Sequence, residues 1–183
     1  SRFLGVPAMY RRRGETRLHA VPSLAAVRYL LSCTAPLSQT LITALHDRCG
    51  AAICQHYGSS ESGAVTTHLP SAVLERPDSV GLAMQNVSLA IQDVNGDALP
   101  PGMEGEVVVR GPAVARQYVM GAAGDRPRGD STFRMGDSGV IDADGFLYLR
   151  GRMDQRINVG GFQVSPLEGG QVVEALPRAL RAA

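Results

Sequence analysis

Residues 133–161 read FRMGDSGVIDADGFLYLRGRMDQRINVGG, two short apolar runs with polar residues at set places between and after them. GVID and FLYLRGR carry the near-alternating pattern of strands, and Asp144-Gly145 between them is turn chemistry, so the stretch predicts a β-hairpin. Upstream, VSLAIQDV and GEVVVRG are two more such runs, separated by NGDALPPGMEG, in which Asn95-Gly96 and Pro100-Pro101-Gly102 mark turns. Strands with no helix between them predict a small antiparallel sheet or barrel after Pro77. Downstream of Asp154, QRINVGGFQVSP predicts one more strand pair around Gly160 and Gly161, residues 166–183 predict a helix, and GAAGDRPRGDS predicts a loop.

The earlier part of the chain has a different grammar. VRYLLSCTAP, residues 27–36, is an apolar run suited to a buried strand and ended by Pro36. In LSQTLITALHDRCG the residues Leu37, Leu41, Ala44, Leu45 and Cys49 fall on one helical face, with Ser38 near its start and Gly50 at its end. AAICQHYGSSES is a second apolar run that stops at a glycine and a cluster of hydroxyls. Strand, helix, strand in that order predicts a parallel pair with a crossover helix. Ligands bind at the carboxyl ends of such strands, where SCTAP and HYGSSES stand.

Composition excludes several classes. Charged residues are 19% and hydrophobic residues 44% of the 183, which fits neither a disordered nor a membrane-embedded chain. No apolar run approaches the length of a membrane span, and SRFLGVPAMYRRRG has no signal-peptide core or cleavage site, so the expectation is a soluble, cytoplasmic protein. A net charge of +1 argues against a dedicated nucleic-acid binder. Arg11, Arg12 and Arg13 read as a solvated face at the end of a short helix. All 18 basic residues are arginine, so the chain contains no lysine. Cys33, Cys49 and Cys54 form no CxxC pair, and the set Cys49, Cys54 and His56 lacks a fourth metal ligand at regular spacing; buried thiols in a reducing compartment are the simpler reading. His19, His46 and His68 stand outside any pattern for nucleophilic catalysis.

In YGSSES, Tyr57 before a glycine offers a planar ring beside a tight turn, Ser60 a hydroxyl for a phosphate, and Glu61 a carboxylate for a hard cation such as Mg2+. The same letters also describe a turn leading into a helix N-cap. Asp137 can accept hydrogen bonds from the two hydroxyls of a ribose, and Arg152, on the returning strand of the hairpin, can reach ribose or phosphate. Taken singly, the first is a turn residue and the second a surface arginine. Together they make an inventory for a magnesium nucleotide.

The ordered segments VPAMY, LLSCTAPLS, HYGSSES, GEVVVRGP and FRMGDSGVIDADGFLYLRGRMDQRINVGGFQVSP resemble the adenylate-forming superfamily of acyl-CoA synthetases, peptide-synthetase adenylation domains and firefly luciferase. The resemblance runs from Leu4 to Glu168. It implies an α/β fold: the second half of the large adenylate-forming domain, an α/β layer plus a small antiparallel β-barrel, followed by a hinge and the start of a C-terminal lid. The implied division is an α/β portion over 1–76, an antiparallel β portion over 77–153, and hinge and lid over 154–183. The implied activity joins a carboxylic acid to the α-phosphate of ATP, releasing pyrophosphate, and passes the acyl group to the thiol of coenzyme A or a carrier protein. By the same resemblance Thr34, Ala35 and Pro36 wall the adenine and Tyr57 stacks on it. Ser60, where threonine is usual, stands near the α-phosphate; Glu61 holds Mg2+; Asp137 accepts from the ribose of ATP or AMP; and Arg152 contacts it. Asp154 is the hinge, and Gly160 and Gly161 approach the pantetheine arm.

Three features depart from the family. Its two lysines have no counterpart, its glycine-rich phosphate loop is absent, and its members are much longer. The resemblance therefore implies a portion of an acid:CoA ligase, inactive as an isolated chain, whose partners are the missing N-terminal half, the acid and coenzyme A. It leaves room for a homodimer through an exposed apolar face. The alternatives are a natural non-catalytic half-module that binds nucleotide or complements a partner, and a carrier-protein-loading adenylation domain. NVGGFQVSP resembles the ligases most, although Asn158 replaces a lysine common there. Ser32, His56 and Gly63 sample only one wall of the acid pocket, and the acid is not legible.

Overall fold

The computed structural model describes residues 2–10, 29–35, 37–115, 131–155, 157–159, 162–164 and 166. Five strands form the first sheet: β1 (Arg2–Gly5), β2 (Tyr29–Ser32), β3 (Ile53–Ser59), β4 (Gly63–Thr67) and β5 (Leu82–Ala83), hydrogen-bonded in that order. The pairs β1–β2 and β2–β3 are parallel, with Leu30 opposite Ile53 and Ser32 opposite Gln55. Helix α1 (Gln39–Cys49) makes the crossover between β2 and β3. The predicted strand, helix, strand unit is thus present.

Local chemistry sets the ends of α1. Ser38 is its N-cap and accepts the Leu41 N–H at 3.4 Å. Gly50, at φ 65°, closes the helix by donating its N–H to the His46 carbonyl at 2.7 Å. The buried stripe departs from the predicted face, because Ala44 is exposed while Ile42 is 1% exposed. Leu37, Leu41, Ile42 and Leu45 pack with Tyr10, Leu30, Ile53 and Val73. A 3.6-residue period centred on Leu41 and Leu45 admits one flank; the larger isoleucine takes it, since alanine has little apolar area to bury. The side chain of Cys49 lies outside the described residues.

After β3 the chain does not start a helix. Ser59 Oγ accepts the N–H groups of Glu61 and Ser62 at 3.2 and 3.1 Å, and Ser62 Oγ accepts the Ser59 N–H at 3.0 Å. These are the bonds of a helix cap applied to a tight hairpin, which corrects the helix-start alternative. A side chain on Gly58 would overlap the carbonyl of Gly63, so strand and turn close on a bare backbone. The chain then returns antiparallel as β4, a strand without a clear alternating signature in sequence.

The second sheet contains β6 (Ser88–Gln92), β7 (Gly105–Arg110), β8 (Thr132–Ile141) and β9 (Leu147–Arg152), antiparallel in the order β6-β7-β8-β9. β6, β7 and β9 come from the runs read as strands, whereas β8 begins seven residues before GVID, the run read there. Gly145, at φ 87°, turns β8 into β9, with Asp142 Oδ1 accepting from the Asp144 and Phe146 N–H groups at 3.0 and 2.9 Å. The two sheets meet where Gly81, just before β5, bridges Leu147 at the start of β9. Val65 of β4 joins Val80, Ile91, Val107, Val109, Met135 and Leu147 in one apolar cluster, so the sheets share a core.

Residues 68–79 are fastened to the β8–β9 turn. Arg76 pairs with both Asp142 and Asp144 and lies over the Phe146 ring, 4.5 Å from its centre. Beyond β9 come a 3-10 turn (Met153–Gln155) and the antiparallel pair β10 (Ile157–Val159) and β11 (Phe162–Val164), the strand pair predicted there. The predicted helix after Pro166, Gly160, Gly161, and residues 121–130 of the predicted loop lie outside the described residues. No described helix is long and apolar enough to cross a membrane.

Candidate functional site

Tyr57 and Asp137 are 80 residues apart and on different sheets, yet the Tyr57 hydroxyl donates to Asp137 Oδ2 at 2.6 Å. The shared core accounts for the meeting: the Tyr57 ring packs against the apolar cluster that spans both sheets. In the β8–β9 register Asp137 stands opposite Arg152. The Arg152 guanidinium donates from Nη1 to the Met135 carbonyl at 3.2 Å and to Asp137 Oδ1 at 3.5 Å, and from Nε to Asp154 Oδ1 at 3.4 Å. Gly136 makes that pose accessible, since a Cβ there would sit 3.3 Å from Arg152 Nη2, and its φ of 68° suits glycine. Tyr57, Asp137, Arg152 and Asp154 are thus one connected group.

Its electrostatics keep the phenol protonated. Burial pushes the Tyr57 pKa up, the hydrogen bond and charge of Asp137 push it further, and Arg152 opposes them only in part, leaving it far above the ordinary tyrosine value. The Tyr57 hydroxyl therefore stays a donor at neutral pH. For Arg152, burial alone lowers the pKa, but the charges of Asp137 and Asp154 outweigh it and hold the guanidinium more firmly charged.

Ser60 stands exposed at the tip of the turn after β3, and Glu61 is half-buried beside it. The turn is pinned from outside: the Glu61 carbonyl accepts the Ala115 N–H at 2.6 Å, and a Cβ on Gly63 would lie 2.9 Å from the Ala113 methyl. The backbone of Glu61 is occupied, whereas its carboxylate makes no hydrogen bond or ion pair among the described residues. No three metal-binding side chains cluster among the described residues. One unpaired carboxylate beside serine hydroxyls still suits Mg2+, which commonly takes one or two protein carboxylates and completes its shell with water and phosphate oxygens.

Thr34 and Ala35 are exposed just past β2, and Thr34 holds φ 75°, a costly conformation for a β-branched residue. Neither bonds to the Tyr57 group among the described residues. Pro36, Gly160 and Gly161 lie outside them. Ser32 and His56 were read as one wall, but Ser32 is paired with Gln55, so the neighbouring His56 points to the opposite face of β3. Each leaves a buried polar atom without a partner among the described residues, Ser32 Oγ and His56 Nδ1, and burial lowers the His56 pKa. Sequence reasoning treated Tyr57 as a ring alone and overlooked its hydroxyl, and it passed over Gly136. A glycine directly before a candidate acid was the available signal for the latter.

The arrangement can be set beside known proteins. A family model described as AMP-binding enzyme matches residues 2–119. A protein named "Probable CoA ligase CCL9" from Humulus lupulus is 34% identical over 159 residues, covering 85% of this chain and 30% of that protein. An oxalate–CoA ligase from Arabidopsis thaliana is 30% identical, covering 87% of this chain and 31% of its own length. Among solved structures, ATP-bound MatB from Rhodopseudomonas palustris superposes with a TM-score of 0.84 at 30% identity, over 95% of this chain and 35% of that one. The anthranilate CoA ligase AuaEII in complex with anthranoyl-AMP gives 0.83 at 26% identity, over 96% and 34%. The chain therefore spans about a third of the length of such relatives. Within that span the matched segment runs from β1 past β7, and the chain belongs to the AMP-binding enzymes of the adenylate-forming superfamily.

Proposed function

We propose that this chain is the nucleotide-holding portion of an ATP-dependent acid:CoA ligase. The observation that carries the reading is the Tyr57–Asp137–Arg152 group, in which a ring, a carboxylate and a guanidinium converge from three strands. Tyr57 supplies the platform for adenine and Thr34, Ala35 and Pro36 its wall. Asp137 accepts from the ribose diol, Arg152 stands beside the same sugar, and Ser60 faces the α-phosphate. Glu61 holds Mg2+, which neutralises phosphate charge when bound. Carboxylate attack on an anionic phosphate needs such neutralisation together with alignment.

The units that fit this role are an α/β portion over 1–76, a β portion over 77–153, and a hinge and lid from 154 in which Asp154 is the pivot. Gly160 and Gly161 fall in the segment that meets the pantetheine arm, and coenzyme A is the favoured acceptor over a carrier protein. The relatives are named for acids as unlike as oxalate and anthranilate, and the acid taken here is left unassigned. Free thiols at Cys33 and Cys54 fit a reducing compartment such as the cytoplasm. Exposed Leu4, on edge strand β1, and exposed Met9 suit packing against the rest of a longer polypeptide.

Binding of AMP, measured calorimetrically with the wild-type protein and Asp137→Ala, tests the reading. The variant is expected to bind roughly 10- to 100-fold more weakly, the loss typical for removing hydrogen bonds to a charged group. Equal affinity in the two proteins removes Asp137 from the site.

A further inference from the structure

A ring that only stacks on a base has no use for a hydroxyl; phenylalanine would present the same face. Tyr57 nevertheless spends its hydroxyl on Asp137 Oδ2, at 2.6 Å, across the junction of two sheets. The bond makes the two carboxylate oxygens unequal. Oδ2 is taken by a phenol, while among the described residues Oδ1 has only the long 3.5 Å approach of Arg152, whose side chain is 47% exposed. A carboxylate without such a partner could turn about its last torsion and offer either oxygen in a range of directions. Here the ring is seated in the shared core, so its hydroxyl is a fixed point to which the carboxylate is tied.

We propose that Tyr57 is a positioning residue for sugar selection: its hydroxyl fixes Asp137 so that Oδ1 meets a vicinal diol, which makes the site choose ribonucleotides over their deoxy counterparts. The inference rests on the nucleotide reading above and adds to it a cause for selectivity. Burial keeps the phenol protonated at neutral pH, as a donor in this role must be. A site built to satisfy a substrate hydroxyl rejects the analogue lacking it because its own polar groups are left unpaired.

The test compares affinities of the native polypeptide for AMP and 2′,3′-dideoxy-AMP, in wild type and Tyr57→Phe, with melting temperature as a control. Wild type is expected to prefer AMP. In Tyr57→Phe that preference should fall roughly tenfold, while dideoxy-AMP, which relies on stacking, stays within about twofold. An undiminished preference in Tyr57→Phe overturns the inference, as does a wild type that binds AMP through Asp137 with no preference for the diol. Wild type that fails to bind AMP at all defeats the nucleotide reading itself, and the inference with it. Should Tyr57→Phe not fold, Tyr57→Trp keeps a platform without the phenol, and the same loss of preference is required of it.

Discussion

Glu61 is the residue whose surroundings are most telling for what they leave open. Its N–H and carbonyl are both engaged by protein, fixing the backbone, while its carboxylate faces no protein cation among the described residues. A half-buried carboxylate in that state suits a hard cation arriving with its own oxygens. Glu61→Ala should abolish the strengthening of ATP binding by Mg2+, while AMP binding without metal stays within about twofold. A variant whose ATP affinity still rises with Mg2+ would move the metal elsewhere. Asp154 makes the contrasting case. Its contact with Arg152 is 3.4 Å long and its side chain is 69% exposed, and exposed pairs contribute little. Asp154→Ala should shift AMP affinity by no more than about twofold, and a tenfold loss would make it a binding residue instead of a pivot. The acids were legible as candidates because their residue types and order matched a chemistry. The Tyr57–Asp137 bond was not, because local sequence says nothing about two strands that meet across 80 residues.

The helix and the turn after β3 show where local sequence was sufficient and where it was ambiguous. For α1, Ser38 and Gly50 marked the ends and the structure uses both. The buried face was nearly right, with Ile42 in place of Ala44. That exchange makes a direct comparison: Ile42→Ala removes a fully buried side chain and should cost about 2–5 kcal/mol, whereas Ala44→Ser should stay within about 0.5 kcal/mol. Urea unfolding of the two variants checks it, and similar midpoints would place Ile42 outside the core. Ser59 and Ser62 posed the harder problem. Serines beside a glutamate satisfy backbone N–H groups at a helix start or in a hairpin turn alike, and only the return of β4 against β3 decides between them. The strand β4 was missed for a related reason: GAVTT is short and lacks a polar face, and its position follows from Val65 filling the core between sheets.

Asp142 and His56 make the stability of the molecule depend on pH. Burial alone would raise the Asp142 pKa, but hydrogen bonds from Phe146 N–H, Tyr148 hydroxyl and Asp144 N–H, together with the Arg76 charge, hold it below its ordinary value of 3.8. The unfolded chain therefore binds the proton more readily than the folded one. The stability that Asp142 contributes is complete above about pH 4 and is lost as pH falls through its folded value. His56 acts in the same sense nearer neutrality. Burial lowers its pKa from 6.5, so below that pH the unfolded chain takes a proton that the folded chain resists. Stability should accordingly rise with pH up to about 6.5, and His56→Gln should flatten the upper part of that rise while Asp142→Asn flattens the lower. Thermal melts across pH 3–8 would expose the error if His56→Gln left the slope near pH 6 unchanged.

Charge also sets an expectation for catalysis by these 183 residues. Every basic residue is arginine, and three of the described arginines already face carboxylates: Arg76 with Asp142 and Asp144, Arg134 with Glu106, Arg152 with Asp137 and Asp154. A paired guanidinium holds structure together, but it has less charge to offer a triphosphate. Adenylation brings a carboxylate onto an anionic phosphate, and the resemblance assigns that neutralisation in part to lysines, which this sequence lacks. The 183-residue chain alone should therefore bind AMP through Tyr57 and Asp137 yet show no detectable ATP–pyrophosphate exchange with any acid. Exchange should appear when a lysine-bearing N-terminal portion of a family member is supplied in trans or by fusion, and should then depend on Asp137. Exchange by the chain alone that survives rigorous purification would mean that arginines suffice, and Arg152 would be the first to replace.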